Sequence, residues 1–130
     1  MFITALEDFD YRPMFKDGEI IRGWVVTESA MVWNDGAEHH TVLAGFETDL
    51  ASLPGFIKPV LSKLGKHQRA AVLHDYFYRN KIGGKAWADR QMNKAMIQDG
   101  VVRWKRYIIM AGLFAGGWTG WLKNKRNLGK

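Results

Sequence analysis

His74 and Asp75 stand next to each other in the run Arg69-Ala-Ala-Val-Leu-His-Asp-Tyr-Phe-Tyr78, and Asp89 follows Ala88 one loop later. Ionisable groups inside apolar runs are costly unless partnered. An imidazole that folding holds against a carboxylate handles protons, because the carboxylate fixes the ring tautomer and stabilises the protonated form. His74 and Tyr78 are four apart and share a face of a helix, with Ala71 one turn earlier on the same stripe. Ala70 and Ala71 leave room for a second helix. If Lys85–Gln98 is that helix, antiparallel across a short glycine-containing loop, Asp89 comes opposite His74 and Tyr78. Asp89 would then orient the imidazole, Tyr78 would donate to the same carboxylate, and the free ring nitrogen of His74 would act as general base on a water.

Asp75 points about 100° away from His74 on a helix and offers oxygen to a hard cation. Such a cation would polarise a carbonyl and hold an oxyanion. Asp49, in Thr48-Asp-Leu-Ala-Ser52, is a candidate second ligand or a loop-organising cap. Plainer readings stand beside these. The cluster can be a buried polar network that only joins two helices. His39-His40 beside Glu38 reads as a surface pair rather than a metal site, and His67 as a helix-start residue. There is no glycine-rich phosphate loop, His-Glu-x-x-His helix or nucleophile elbow, and nothing marks Ser52 as activated.

The elements that must carry these residues follow from pattern. Residues 19–33 are rich in β-branched and aromatic types and predict two strands between the turns Asp17-Gly18 and Asn34-Asp35-Gly36. His39 to Phe46 predicts a third strand, and Phe9 to Tyr11 an edge, giving one small antiparallel sheet. Residues 56–64 predict a short helix ended by Gly65. Helices are expected over Gln68–Arg79 and Lys85–Gln98, the latter stopped by Asp99-Gly100. Tyr107 to Leu122 predicts a helix packed on the core. At 16 residues with four glycines, it is shorter than the about 20 residues that span a bilayer. The expected class is α+β: a small N-terminal antiparallel sheet followed by a three- to four-helix C-terminal half. One domain over 1–130 is expected, with a β-rich part at 1–47, a helical part at 48–122 and a basic tail at 123–130.

The chain has 130 residues, 47% hydrophobic and 25% charged, and no cysteine. That balance suits a globular protein and excludes disulfides, thiolate metal sites and a cysteine nucleophile. The start of the chain lacks the basic and apolar regions of a signal peptide. A place in the host cytoplasm, in a virion, or both is the matching expectation. The net charge of +6 gathers in Arg103-Trp-Lys-Arg106 and in Lys123, Lys125, Arg126 and Lys130. With Trp118 and Trp121, the residues Lys123, Lys125 and Arg126 are candidates for contact with a membrane interface or phosphate. Nucleic acid is the weaker expectation, since no recognition module accompanies the charge.

Two resemblances add to this reading. Ala44-Gly-Phe-Glu-Thr-Asp-Leu-Ala-Ser-Leu-Pro54, then Ala70-Ala-Val-Leu-His-Asp-Tyr-Phe-Tyr78, then Ala88-Asp89 with Met96, resembles a family of small phage and prophage proteins of unknown function. That implies a viral or prophage origin and does not supply an activity. More distantly, Ala70-Ala-x-x-His74-Asp75-x-x-Tyr78 followed by Ala88-Asp89 is similar to the phospholipase A2 motif of parvovirus capsid proteins. The likeness implies His74 as general base, Asp75 as a calcium ligand, Tyr78 as support and Asp89 as the aspartate behind the histidine. It also implies calcium as cofactor and a phospholipid ester as substrate. The glycine-rich calcium loop of phospholipases has only a faint counterpart in Leu53-Pro-Gly55, and the β-rich first half has none. The non-enzymatic alternative is a virion or tail component that contacts other phage proteins.

Overall fold

Asp17 and Gly18 reverse the chain first. Both hold positive φ, 53° and 82°, the geometry whose twist suits a two-residue hairpin. A computed structural model provides this fold, with residues 1–49 and 68–114 described. The chain forms two compact units, Met1–Leu50 and Ala51–Lys130.

In the first unit the hairpin joins β1 (Tyr11–Lys16) to β2 (Glu19–Thr27), and β5 (Glu47–Asp49) pairs with the other side of β2, all antiparallel. Pro13 lies on edge strand β1, beside an irregularity in the register between Pro13 and Phe15, where a missing N–H is tolerated. A second sheet pairs β3 (Met31–Asn34) with β4 (His39–Val42), and Phe2 bridges to Trp33 beside it. Met31, Trp33, Val42 and Phe2 are buried, with the Phe2 and Trp33 rings edge to face at 4.8 Å. Thr27 accepts from the Phe46 N–H and donates to the Leu43 carbonyl, tying β2 to the turn before β5.

The second unit contains α1 (Gln68–Arg79), α2 (Lys85–Gln98) and a helix over residues 103–114, α3. Ala70, Leu73 and Phe77 of α1 and Ala88, Met92, Ala95 and Met96 of α2 are wholly buried. That is the three- and four-residue spacing of two apolar stripes packed together. The loop between them turns through Lys81 and Gly83, both at positive φ. Phe77 meets Trp87 edge to face at 4.8 Å across it. Asp99 caps α2, and Gly100 follows with φ 84°.

The α+β class holds, with an antiparallel β-rich part followed by three helices. The one expected sheet is two. The strand predicted from His39 to Phe46 breaks at Gly45, whose φ is 90°, and continues as β5 against β2. The edge strand is Tyr11–Lys16 rather than Phe9 to Tyr11, because the Asp17-Gly18 hairpin sets its register. The last helix begins at residue 103, four residues before the expected start. The helix expected at 56–64 and everything beyond residue 114 lie outside the described residues. Among those described, no helix is long and apolar enough to cross a membrane.

Candidate functional site

The antiparallel pairing of α1 and α2 brings His74, Tyr78 and Asp89 together as the spacing predicts. The His74 Nε2–H donates to Asp89 Oδ1 at 2.7 Å, and the Tyr78 hydroxyl donates to the same oxygen at 2.6 Å. Tyr78 follows His74 by one turn, and their ring centres are 4.0 Å apart. The other carboxylate oxygen, Oδ2, accepts from the Lys85 ammonium at 2.9 Å, and Lys85 also reaches the Leu113 carbonyl of α3 at 3.3 Å. Lys85 was not among the residues anticipated. Its place four before Asp89 on one helix is the signal that could have found it.

All four side chains are buried. Burial acts to raise the Asp89 carboxyl, but the hydrogen bonds from His74, Tyr78 and Lys85 outweigh it and hold the group down, at about 2. Asp89 is an anion at neutral pH. Tyr78 is pushed well above the usual phenol range by burial and by the Asp89 carboxylate that its proton faces, so it stays a donor. With Nε2–H given to Asp89, the neutral imidazole carries its lone pair on Nδ1. The ring hydrogen-bonds only through Nε2. Among the described residues no fully buried side-chain nitrogen or oxygen lacks a partner. The His74 side chain is 9% exposed, and among the described residues Nδ1 has no hydrogen-bond partner.

Asp75, half-buried on the next position of α1, pairs with Arg79 at 3.2 Å. Among the described residues no group of three acidic or imidazole ligands forms around Asp75. Leu53-Pro-Gly55, the segment likened to a calcium loop, lies outside the described residues. Asp49 ends β5 in the first unit, opposite Trp24 in the strand register, and its side chain lies outside the description. Trp118, Trp121, Lys123, Lys125 and Arg126 also lie outside the described residues.

Two further polar clusters escaped the sequence reading. Arg69 donates through Nε to Asp99 Oδ2 at 2.6 Å and through its second nitrogen to Oδ1, both groups buried, which fastens the start of α1 to the end of α2. A lone arginine opening an apolar run was the available signal. In the first unit His40 is buried rather than on the surface, because Asp35 Oδ2 holds its Nε2 at 2.7 Å. Asp35 Oδ1 accepts the N–H groups of Ala37 and Glu38. The imidazole and those N–H groups keep the Asp35 carboxyl far below the usual carboxylate range. The carboxylates of Asp35 and Glu38 and the His40 ring gather within 4.8 Å, a grouping that the turn between β3 and β4 explains.

Fold and site together define an α+β protein whose helical unit encloses a His–Asp–Tyr–Lys cluster. Residues 24–113, more than two thirds of the chain, match the family described as "Protein of unknown function (DUF1353)", and the chain belongs to that family. No curated protein and no solved structure matches it.

Proposed function

We propose that the helical unit is a His–Asp hydrolase in which His74 is the general base. The observation that carries this is the division of labour on one ring: Nε2 is fixed by Asp89 while Nδ1 is left without a hydrogen-bond partner among the described residues. A water at Nδ1 would give up its proton as it attacks an acyl carbon. Asp89, held anionic by Tyr78 and Lys85, would stabilise the imidazolium that forms. The protonated ring then returns the proton to the leaving alkoxide, so that one ester and one water become an acid and an alcohol. The similarity of His74-Asp75-x-x-Tyr78 and Ala88-Asp89 to the phospholipase A2 motif supports a phospholipid ester as substrate. The motif order shared with small phage and prophage proteins supports a viral setting.

The test is fatty-acid release from phospholipid vesicles, with and without chelator. Wild type should hydrolyse the ester, and His74→Ala should lose about 10²- to 10⁴-fold in rate, the usual contribution of a general base, while keeping its helical circular dichroism. No release at any protein concentration overturns the proposal.

A second reading has its own support. Lys85 ties Asp89 to the Leu113 carbonyl, so the cluster joins α1, α2 and α3. In that reading the unit is a virion or tail-associated structural part with no turnover to lose, and the cluster serves only to hold its helices.

A further inference from the structure

We propose that the helical unit docks on an anionic phospholipid bilayer through the outer face of α3. This deepens the hydrolase reading by naming the surface on which a lipid ester would be met. Its own support does not involve His74.

The net charge of +6 conceals a segregation. Met1–Leu50 carries 3 Lys and Arg against 10 Asp and Glu, a net −7, whereas Ala51–Lys130 carries 16 against 3, a net +13. The three acids of the second unit are all engaged within it: Asp75 with Arg79, Asp89 with Lys85 and Asp99 with Arg69. None is left to offset the remaining cations, of which Arg90, Lys94 and Arg103 are exposed.

The outer face of α3 is apolar. Trp104, Tyr107, Ala111 and Phe114 recur at steps of three, four and three, which puts them on one side of a helix. Trp104 is 57%, Tyr107 62% and Phe114 76% exposed, while Ile109 and Leu113 are buried on the other side. Among the described residues the inner face is the one that is buried. Ile97 and Val102, just before the helix, are exposed too. Arg103 precedes Trp104, and the Lys105 ammonium lies 5.0 Å from the Trp104 ring centre.

The chemistry of this face selects its partner. Indole and phenol rings settle at the headgroup level of a bilayer, phenylalanine goes deeper, and adjacent cations meet lipid phosphates. A nucleic acid would pair the charges but offer nothing to Ile97 and Val102. A second copy meeting this face with the same face would set one strongly basic unit against another.

The full chain should co-sediment with vesicles of phosphatidylcholine and phosphatidylglycerol in equal parts at least about tenfold more tightly than with phosphatidylcholine alone, since each cation near the surface contributes about fivefold. Added salt should reduce that difference. The triple variant Trp104→Ser, Tyr107→Ser, Phe114→Ser should bind the mixed vesicles at least about tenfold more weakly for the apolar area it removes, with unchanged thermal melting. Arg103→Glu with Lys105→Glu should weaken binding to the mixed vesicles and leave phosphatidylcholine binding alone. Equal affinity for the two vesicle types, no sedimentation, or a triple variant that binds like wild type overturns the proposal. So does single-stranded DNA binding or dimer formation that the triple variant loses in the absence of vesicle binding. His74→Ala that sediments normally without fatty-acid release confirms docking, whereas hydrolysis of a dispersed short-chain ester without vesicle binding sinks docking and spares the base.

Discussion

Lys85 and Asp89 lie one turn apart on α2, and the ammonium stands 2.9 Å from the carboxylate oxygen that the imidazole does not use. The carboxylate thus serves an imidazole, a phenol and an ammonium with two oxygens, all inside the unit.

Asp89→Asn strands the Lys85 charge. Removing one partner of a buried pair costs about 3–5 kcal/mol, so urea unfolding should show a loss of that size. Combining it with Lys85→Met should recover much of the loss, because no unpaired charge is then buried. If the double variant falls by the sum of the two single losses, the two residues are not coupled.

Acid should act through the same carboxylate. The folded Asp89 carboxyl stands at about 2 against an ordinary 3.8, so its stabilisation is complete above the unfolded value and disappears as pH falls from about 4 to about 2. A shift of that size is worth on the order of 2 kcal/mol. Tyr78 acts at the other end: its folded pKa is raised, so its share is present below pH 10 and declines as pH rises beyond it. Melting temperature against pH should fall at both ends, and Tyr78→Phe should flatten the alkaline limb.

Arg69→Met should cost about 3–5 kcal/mol as well, since it leaves the Asp99 carboxylate buried without its guanidinium. Arg69→Lys should not restore the loss, because an ammonium cannot reproduce the two-pronged contact with both oxygens. Equilibrium unfolding of the three proteins decides it.

Gly83 and Gly84 should part company on substitution. Gly83 has φ 68°, and a Cβ there would come within 2.4 Å of the Trp87 ring, while a Cβ on Gly84 meets nothing within 4 Å. Gly83→Ala should cost about 1–3 kcal/mol, and Gly84→Ala should stay within about 0.5 kcal/mol of wild type. Thermal melts of the two variants would show the contrast.

What the sequence disclosed was local. Two apolar stripes at helical spacing, with stop signals at Asn80 and Asp99-Gly100, located α1 and α2, and the short loop between them favoured an antiparallel arrangement, so Asp89 could be placed against His74 and Tyr78 in advance. Long-range pairings were not readable. Arg69 and Asp99 are 30 positions apart, and no periodicity links an arginine at one helix start to an aspartate at another helix end. His40 looked like surface because alternation in a short strand does not show that Asp35, five residues earlier, folds back on it. The second sheet was hidden for the same reason: β5 finds β2 only after the chain has turned at Gly45. In α3 both faces are apolar, so hydropathy alone did not tell inside from outside.

The Leu113 carbonyl that accepts from Lys85 sits one position before Phe114, a ring turned outward. One stretch of helical backbone therefore carries a buried ammonium on its inner side and an exposed ring on its outer side, so the anchor of the cluster and the unpartnered face of α3 are neighbours in the chain.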